Sequence, residues 1–189
     1  MNQLMNRNTA SLGWRKACAC ALVATALALT ATAARSQQKQ LVSYSIPPGA
    51  SKFTQEHLID VGDAPGHKVR VFESRIDYDN INLTFGGVRV KESFTRGTSD
   101  YTNGTGTSSN YAVYVLEDGN RVFSRESGVG QATQGADGSI SLRYAVVGTL
   151  IGGTGKFRGI KGQLRGNVVR IPGEQSIKAD VAGEYWIDE

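Results

Sequence analysis

The chain has 189 residues, a formal net charge of +4 and only two cysteines, Cys18 and Cys20, both near its N-terminus. This length suits one ordinary domain preceded by a leader. The cysteine positions leave the rest of the chain without a disulfide, a thiolate nucleophile or a cysteine metal ligand. With only two histidines, His57 and His67, no transition-metal site is expected.

Residues 1–36 have the features of a secretory signal peptide. Basic residues precede the Ala- and Leu-rich run ALVATALALTATA, and small residues before Ala34 and Gln37 offer cleavage sites. An uncleaved anchor is the alternative, but the run is shorter than the about 20 strongly apolar residues that a membrane span needs. We therefore expect a secreted or periplasmic domain, residues 37–189, with no stable membrane insertion after cleavage.

Removal of this leader also changes the charge balance. The leader contains four of the 21 basic residues and no acidic residue, so 17 basic and 17 acidic residues remain. A domain with no net charge lacks the electrostatic attraction that nucleic acids and anionic membranes require. Neither is expected as a partner.

Short runs with an alternation of period two dominate residues 37–189. Val69 and Val71 share one face of HKVRVFE, as Val88 and Val90 do in GVRVKESF. Similar β-branched or aromatic runs occupy 111–116, 121–125, 140–146, 162–171, 176–181 and 184–187. About eight strands favour a closed, antiparallel, calycin-like barrel with its core at about residues 54–188, because closure removes exposed sheet edges. A β-sandwich is the alternative.

Turn-forming residues separate these runs. Pro, Gly, Asn and Asp cluster at 64–66, 117–120, 136–138 and 171–173. The segment SDYTNGTGTSSN, residues 99–110, is too polar and glycine-rich to be predicted as a strand. It predicts either a long hairpin loop that overhangs the mouth of the barrel or a solvated linker without a role.

The stretch GGTGKFRGIKGQLRG, residues 152–166, looks at first like a phosphate-binding loop. However, Phe157 follows Gly155-Lys156 where a Walker loop needs Ser or Thr, and Arg158 replaces the third glycine of a dinucleotide fingerprint. The stretch therefore predicts a structural turn in which Gly153 or Gly155 has a positive φ. No nucleotide cofactor is expected.

Together with the upstream EDGNRVFSR hairpin, this stretch resembles the barrels of the allene oxide cyclase and dirigent superfamily. The resemblance covers about residues 59–187. It implies an eight-stranded barrel with an apolar cavity, and the Phe157 side chain is expected to fill the barrel interior beside the turn. Members of the superfamily cyclise a fatty-acid epoxide or steer the coupling of phenolic radicals, without a cofactor. The ligand implied here is an apolar small molecule, either fatty-acid-derived or phenolic.

Three ionisable residues are candidates for catalysis. If Val69 and Val71 point inward, Glu73 faces the cavity with a raised pKa and can protonate an epoxide or enol oxygen. His67 can act as a base near neutral pH. The alternatives are that His67 caps a turn and that Glu73 pairs with an arginine. The same two alternatives, an acid that faces the cavity or a carboxylate in an ion pair, apply to Glu92 and to Glu126. For Glu126, Arg143 is the candidate partner.

Aromatic residues are the candidates for substrate binding. Tyr101, Tyr111, Tyr114 and Tyr144 combine an apolar ring with a hydroxyl, and Phe157 offers a further apolar surface. Strands also use tyrosine as ordinary core, so this reading has a structural alternative.

Three classes of function remain open. An ionisable group beside an open cavity favours a cofactor-free isomerase or cyclase. An apolar open cavity favours a non-catalytic carrier, lipocalin-like or dirigent-like. A filled interior favours a structural envelope protein. We expect an exported small-molecule-binding barrel, with the isomerase or cyclase as its first function class and self-association into a homo-oligomer left open.

Overall fold

A computed structural model describes residues 38–136, 138, 140–170 and 177–188, all within one compact unit, Gln37–Glu189. The predicted leader and the turn predicted at 171–173 lie outside the described residues. A short 3-10 helix, Gly155–Phe157, interrupts an otherwise β structure. The ten strands are β1 (Gln40–Ile46), β2 (Ser51–Asp60), β3 (His67–Asp77), β4 (Thr84–Phe85), β5 (Val88–Thr102), β6 (Thr105–Leu116), β7 (Arg121–Gln134), β8 (Ile140–Gly153), β9 (Ile160–Arg170) and β10 (Ile177–Ile187).

The strands form a single antiparallel sheet. Its order is β1-β10-β9-β8-β7-β6-β5-β3-β2, and β4 pairs separately with β5. The predicted all-β, antiparallel class is confirmed. The sheet has ten strands, and among the described strands no backbone pairing joins β1 to β2, so the hydrogen-bonded path remains open there.

The sheet curls around a common interior. Every strand except the short β4 contributes side chains to the wall of one cavity, including Tyr44 from β1 and Phe53 from β2. The two strands at the ends of the path therefore face the same space. We call the gap between them the seam.

The ordered sheet begins earlier than the expected core boundary near residue 54. Strand β1 starts at Gln40 and buries Val42, Tyr44 and Ile46 on alternate positions. This alternation is short and ends at Pro47, which is why the run did not stand out among the longer ones.

Two of the predicted turns are confirmed by their glycines. Gly66 lies between β2 and β3 with φ 76°, and Gly119 lies between β6 and β7 with φ 82°. The long loop predicted at 99–110 is wrong. Strand β5 runs to Thr102 and β6 begins at Thr105, so only Asn103 and Gly104 form the turn, with φ 51° and 84°. Positive φ at both positions is typical of the type I′ hairpin that Asn-Gly favours.

A plug formed by residues 78–87 closes one end of the interior. Tyr78, Ile81, Leu83 and Phe85 are all buried in the core cluster. The Phe85 ring lies 5.6 Å from the Tyr114 ring and 5.2 Å from the Tyr185 ring, in edge-on contacts. The Gly86 N–H also donates to the Tyr185 hydroxyl over 2.8 Å. The plug thus fills one end of the interior with packed side chains.

The glycine-rich stretch forms a structural turn beside this closed end. Gly155 has φ 55°, which confirms the predicted positive φ at this position, whereas Gly153 is not among the positive-φ residues. A Cβ atom on Gly155 would lie 2.3 Å from the Asn120 Oδ1 atom. Phe157, two residues later, is fully buried in the core.

Replacing Gly155 with valine is expected to lower the free energy of unfolding by about 1–3 kcal/mol. The cost arises from the left-handed backbone and from the contact with Asn120. Urea denaturation measures it. Lys156→Ala is the control, since Lys156 is exposed, approaches the Phe157 ring at 5.2 Å and acts on Asp118 only through its charge. Equal stability of the two variants would contradict this account of the turn.

Candidate functional site

The half of the interior left open by the plug contains a cavity of about 200 Å³. A 150 Å³ apolar cavity is known to bind benzene, so this space accommodates a molecule with roughly one ring. Its walls combine aliphatic side chains, such as Val146, Leu164 and Val168, with seven aromatic rings. Polar groups occur at both ends of the cavity and also between them, where Ser74, Thr95 and Ser108 line the wall.

Glu126 is the carboxyl group on the cavity wall. It projects from the inner face of β7, where the Ser124 Oγ donates to its Oε1 over 2.9 Å and the Tyr114 hydroxyl interacts with it. Burial raises the pKa of Glu126, although the contacts with Ser124 and Tyr114 oppose the shift. Desolvation thus makes this carboxyl group easier to protonate than an exposed one.

Three buried tyrosines surround the inner end of this cavity. Burial raises the pKa of Tyr44, Tyr78 and Tyr114 well above the ordinary phenol value, and the nearby Glu126 charge adds to each shift. The phenols therefore stay neutral at physiological pH and are available as hydrogen-bond donors. Ser93 donates to the Tyr78 hydroxyl over 3.4 Å.

Asn110 lies directly opposite Glu126 in the pairing of β6 with β7, so both side chains share the inner face. Asn110 is 6% exposed, and its Oδ1 atom accepts no hydrogen bond from the described residues. A buried acceptor without a donor is costly.

Two arginines and two tyrosines line the other end of the cavity. The Arg70 guanidinium lies 4.8 Å from the Phe53 ring centre and 4.7 Å from that of Phe72, and it pairs with Glu56 over 2.9 Å. The Tyr101 and Tyr144 rings lie 5.8 Å apart. Tyr144 also interacts with Arg170, the last residue of β9. We call this set the mouth: Arg70, Tyr101, Tyr144 and Arg170.

Of the aromatic candidates from the sequence, Tyr101, Tyr114 and Tyr144 line the cavity. Tyr111 does not, because it lies on the outer face of β6 and is 54% exposed. Phe157 is fully buried, but it packs beside Gly86 and Gly153 at the plugged end and is not part of the cavity wall. Tyr44 and Tyr78, which were not among the candidates, also line the cavity.

Glu73 lies on the outer face of β3, so the expected orientation of this strand is wrong. The inward residues are Arg70, Phe72, Ser74 and Ile76, while Val71 is 52% exposed. On the outside, Glu73 accepts from Thr54 and lies 2.6 Å from the Arg96 Nε. The hydrogen bond from Thr54 and the Arg96 charge hold its pKa below the ordinary value. This carboxylate therefore stays ionised and away from the cavity.

His67 and Glu92 are also outside the cavity wall. The His67 ring contacts Asp63 through Nδ1 at 2.5 Å and Asp100 through Nε2 at 2.8 Å, and so joins the β2–β3 turn to β5. The Glu92 Oε2 lies 2.8 Å from the Arg75 Nε, in an ion pair whose N–H group is not aligned for a hydrogen bond. Both residues have partners that suit a structural role.

The His67 contacts make the stability of the β2–β3 turn dependent on pH. Hydrogen bonds to Asp100 and Asp63 raise the pKa of His67 above 6.5, so the folded state binds the proton more tightly than the unfolded state. This stabilisation is fully present below about pH 6.5 and is lost as the pH rises through the folded-state pKa. The melting temperature should therefore decrease more between pH 5.5 and pH 8.5 for the native protein than for His67→Gln. His57→Gln is the control histidine, and an identical pH profile for native protein and His67→Gln would contradict the prediction.

Over the residues that the structure describes, no group of three or more His, Cys, Asp or Glu side chains is arranged to hold a metal ion. The same residues include no helix long and apolar enough to cross a membrane. No family model, curated protein or solved structure matches the chain. The case for its function consequently depends on the cavity itself.

Proposed function

We propose that this protein is an exported, cofactor-free isomerase or cyclase that binds a small, mostly apolar molecule in the cavity and uses Glu126 as its acid. The observation that carries the proposal is a carboxyl group with a raised pKa on the wall of a cavity large enough for a ligand. Perturbed carboxyl groups in clefts are typical of catalytic sites.

The chemistry follows from the protonation states at the inner end. Neutral Glu126 donates its proton to an epoxide oxygen, and the carbon–oxygen bond breaks to leave a hydroxyl group and a cationic carbon. A hydride then shifts from the hydroxyl-bearing carbon to the cationic carbon, and the resulting protonated carbonyl returns its O–H proton to the Glu126 carboxylate, so the reaction is an isomerisation without any other reactant. The neutral phenols of Tyr78 and Tyr114 can donate hydrogen bonds to the substrate oxygen during this step.

The rest of the cavity restrains the bound substrate. Its aliphatic and aromatic side chains exclude water and limit the conformations of the substrate, which lowers the entropic part of the activation barrier. A volume of about 200 Å³ is below the range of about 300–1,000 Å³ for sites that take drug-sized ligands. This size favours a single-ring substrate, including the phenolic class, over a long fatty-acid chain.

In this proposal the curled sheet works as a closed barrel. Tyr44 and Ile46 on β1 and Ser51 and Phe53 on β2 contribute to the same cavity wall, so side chains can cover the seam where backbone pairing is lacking. The Tyr44 ring lies 6.0 Å from the Tyr78 ring, which places aromatic surface beside the seam. A covered seam would keep water from the reacting carbon.

The proposal is tested with styrene oxide, a single-ring epoxide whose acid-catalysed isomerisation gives phenylacetaldehyde. The protein is expected to accelerate aldehyde formation, and Glu126→Gln is expected to reduce the acceleration by about 10²–10⁴-fold while the fold is retained. Gas chromatography measures the product, and circular dichroism checks the fold.

Glu73→Gln is the matched control, because it removes the same charge from the outer face of the sheet. Its turnover should equal that of the native protein. Full turnover by Glu126→Gln would eliminate Glu126 as the acid. Binding of the epoxide without any aldehyde would instead identify a non-catalytic carrier.

A further inference from the structure

We propose that the ligand is a small carboxylic acid whose carboxylate binds Arg170 at the mouth while a hydroxyl group at its other end reaches Asn110 and Glu126. This inference rests on the proposed function, because it uses the same cavity and names the class of molecule that it accepts. It adds recognition of an anion at the mouth to the acid at the inner end.

Arg170 is the available cation at the mouth. Its side chain lines the cavity, and within the described part of the chain it forms no ion pair. Arg70, by contrast, is already engaged by Glu56, by the Ser99 hydroxyl at 3.1 Å and by two aromatic rings. Guanidinium groups bind carboxylates through paired, charge-assisted hydrogen bonds. Arg170, with the Tyr144 hydroxyl beside it, can therefore receive one carboxylate.

The distance between the two polar ends limits the length of the ligand. Arg170 lies opposite Leu142 and Glu126 lies opposite Gly148, so the two residues are six positions apart along β8. Six residues of strand correspond to about 20 Å. Because side chains from both ends extend into the space between them, a molecule with one ring and a short chain can span it.

The chemistry of each end also constrains the ligand. The Asn110 Oδ1 atom needs a hydrogen-bond donor, which a hydroxyl group supplies. Between the two ends, apolar side chains such as Phe72 and Val146 can pack against a ring. The carboxylate of such a ligand lies at the mouth, at the opposite end of the cavity from Glu126, which limits repulsion between the two carboxyl groups. An acid with a hydroxyl group opposite its carboxylate satisfies all three regions.

The test compares two ligands of the same shape by isothermal titration calorimetry. These are 3-(4-hydroxyphenyl)propanoate and its uncharged primary amide. The acid is expected to bind native protein at least about tenfold more tightly than the amide, the difference typical of a hydrogen bond to a charged group. Arg170→Gln should reduce the affinity for the acid to that for the amide and leave the amide affinity unchanged.

Arg165→Gln is the matched control, because Arg165 lies on the same strand with an exposed side chain on the other face. It should leave both affinities unchanged. Arg170→Lys provides a second variant that keeps the charge, and it should retain part of the preference for the acid. Thermal melting confirms that each variant is folded.

Equal binding of acid and amide to the native protein would overturn the inference and leave the proposed function intact. A loss of acid affinity in Arg165→Gln as large as that in Arg170→Gln would also overturn it, since the effect would then be one of net charge. If neither compound binds and styrene oxide is not converted, the proposed function itself fails.

Discussion

Truncation of Phe85 to alanine is expected to lower the free energy of unfolding by about 3–5 kcal/mol, the largest single effect on stability that we predict. The Phe85 ring is fully buried and contacts Tyr114 on β6 and Tyr185 on β10. These strands lie on different parts of the curled sheet, so the ring connects them through the interior. Its removal leaves a hole that the surrounding strands cannot fill without losing their register.

Chemical denaturation measures this effect, with Tyr111→Ala as the control. Tyr111 is also aromatic, but it lies on the outer face and is 54% exposed, so its truncation should cost much less. A loss below about 1 kcal/mol for Phe85→Ala would show that the plug is not a principal part of the core.

Filling the cavity is expected to abolish most ligand binding while the fold is retained. Gly148 and Gly166 both line the cavity, and neither has a positive φ. A Cβ atom on Gly148 would lie 3.5 Å from Glu126 Cγ, and one on Gly166 would lie 3.6 Å from Val181 Cγ2, both ordinary contacts. The double variant Gly148→Ala/Gly166→Ala should therefore bind 3-(4-hydroxyphenyl)propanoate about 10- to 100-fold more weakly, since overpacking costs about 1–3 kcal/mol.

The stability of this double variant separates blocked binding from unfolding. Replacing glycine with alanine at a compatible backbone position stabilises a protein by about 0.4–1 kcal/mol per site, so the melting temperature should not decrease. Thr149→Ala, on the outer face beside Gly148, is the control and should bind normally. Unchanged binding by the double variant would place the ligand elsewhere.

Much of the fold was predictable because strands and turns leave local patterns in the sequence. Alternation identified most of the strands, and Pro-Gly and Asp-Gly pairs marked the turns at Gly66 and Gly119. The Asn103-Gly104 hairpin was missed because the polar strands around it have no apolar face. There the Asn-Gly pair was a better guide than the composition of the flanking residues.

The orientation of β3 was harder to predict, because apolar residues occur on both of its faces. Val71 on one face and Phe72 on the other give no clear preference by alternation alone. The partners that fix the orientation, such as Arg96 for Glu73, come from a neighbouring strand. Their contribution depends on the pairing register and cannot be read from β3 itself.

Glu126 was noted in the sequence but not chosen, because its neighbours look like those of a solvent-exposed strand. The inward residues of β7 after Val122 are Ser124, Glu126, Gly128 and Gly130, none of them apolar. In a closed interior, such small residues create the space for a ligand, and one acid among them then becomes its polar contact. The local signal that could have identified the site is therefore the inward-facing row Ser124, Glu126, Gly128 and Gly130, in which one acid stands among small residues.

The pairing of β1 with β10 also determines when the molecule can complete its fold. Gln40 lies opposite Tyr185. Strand β1, the first of the described strands, can therefore pair only after β10, the last of them, is available. Contacts between such distant residues slow folding, because a large loop must close before they form. Until β10 is available, Val42, Tyr44 and Ile46 lack the backbone pairing that holds β1 in the sheet, although Tyr44 can already contact Tyr78. A chaperone that shields this segment would protect the nascent chain during that interval.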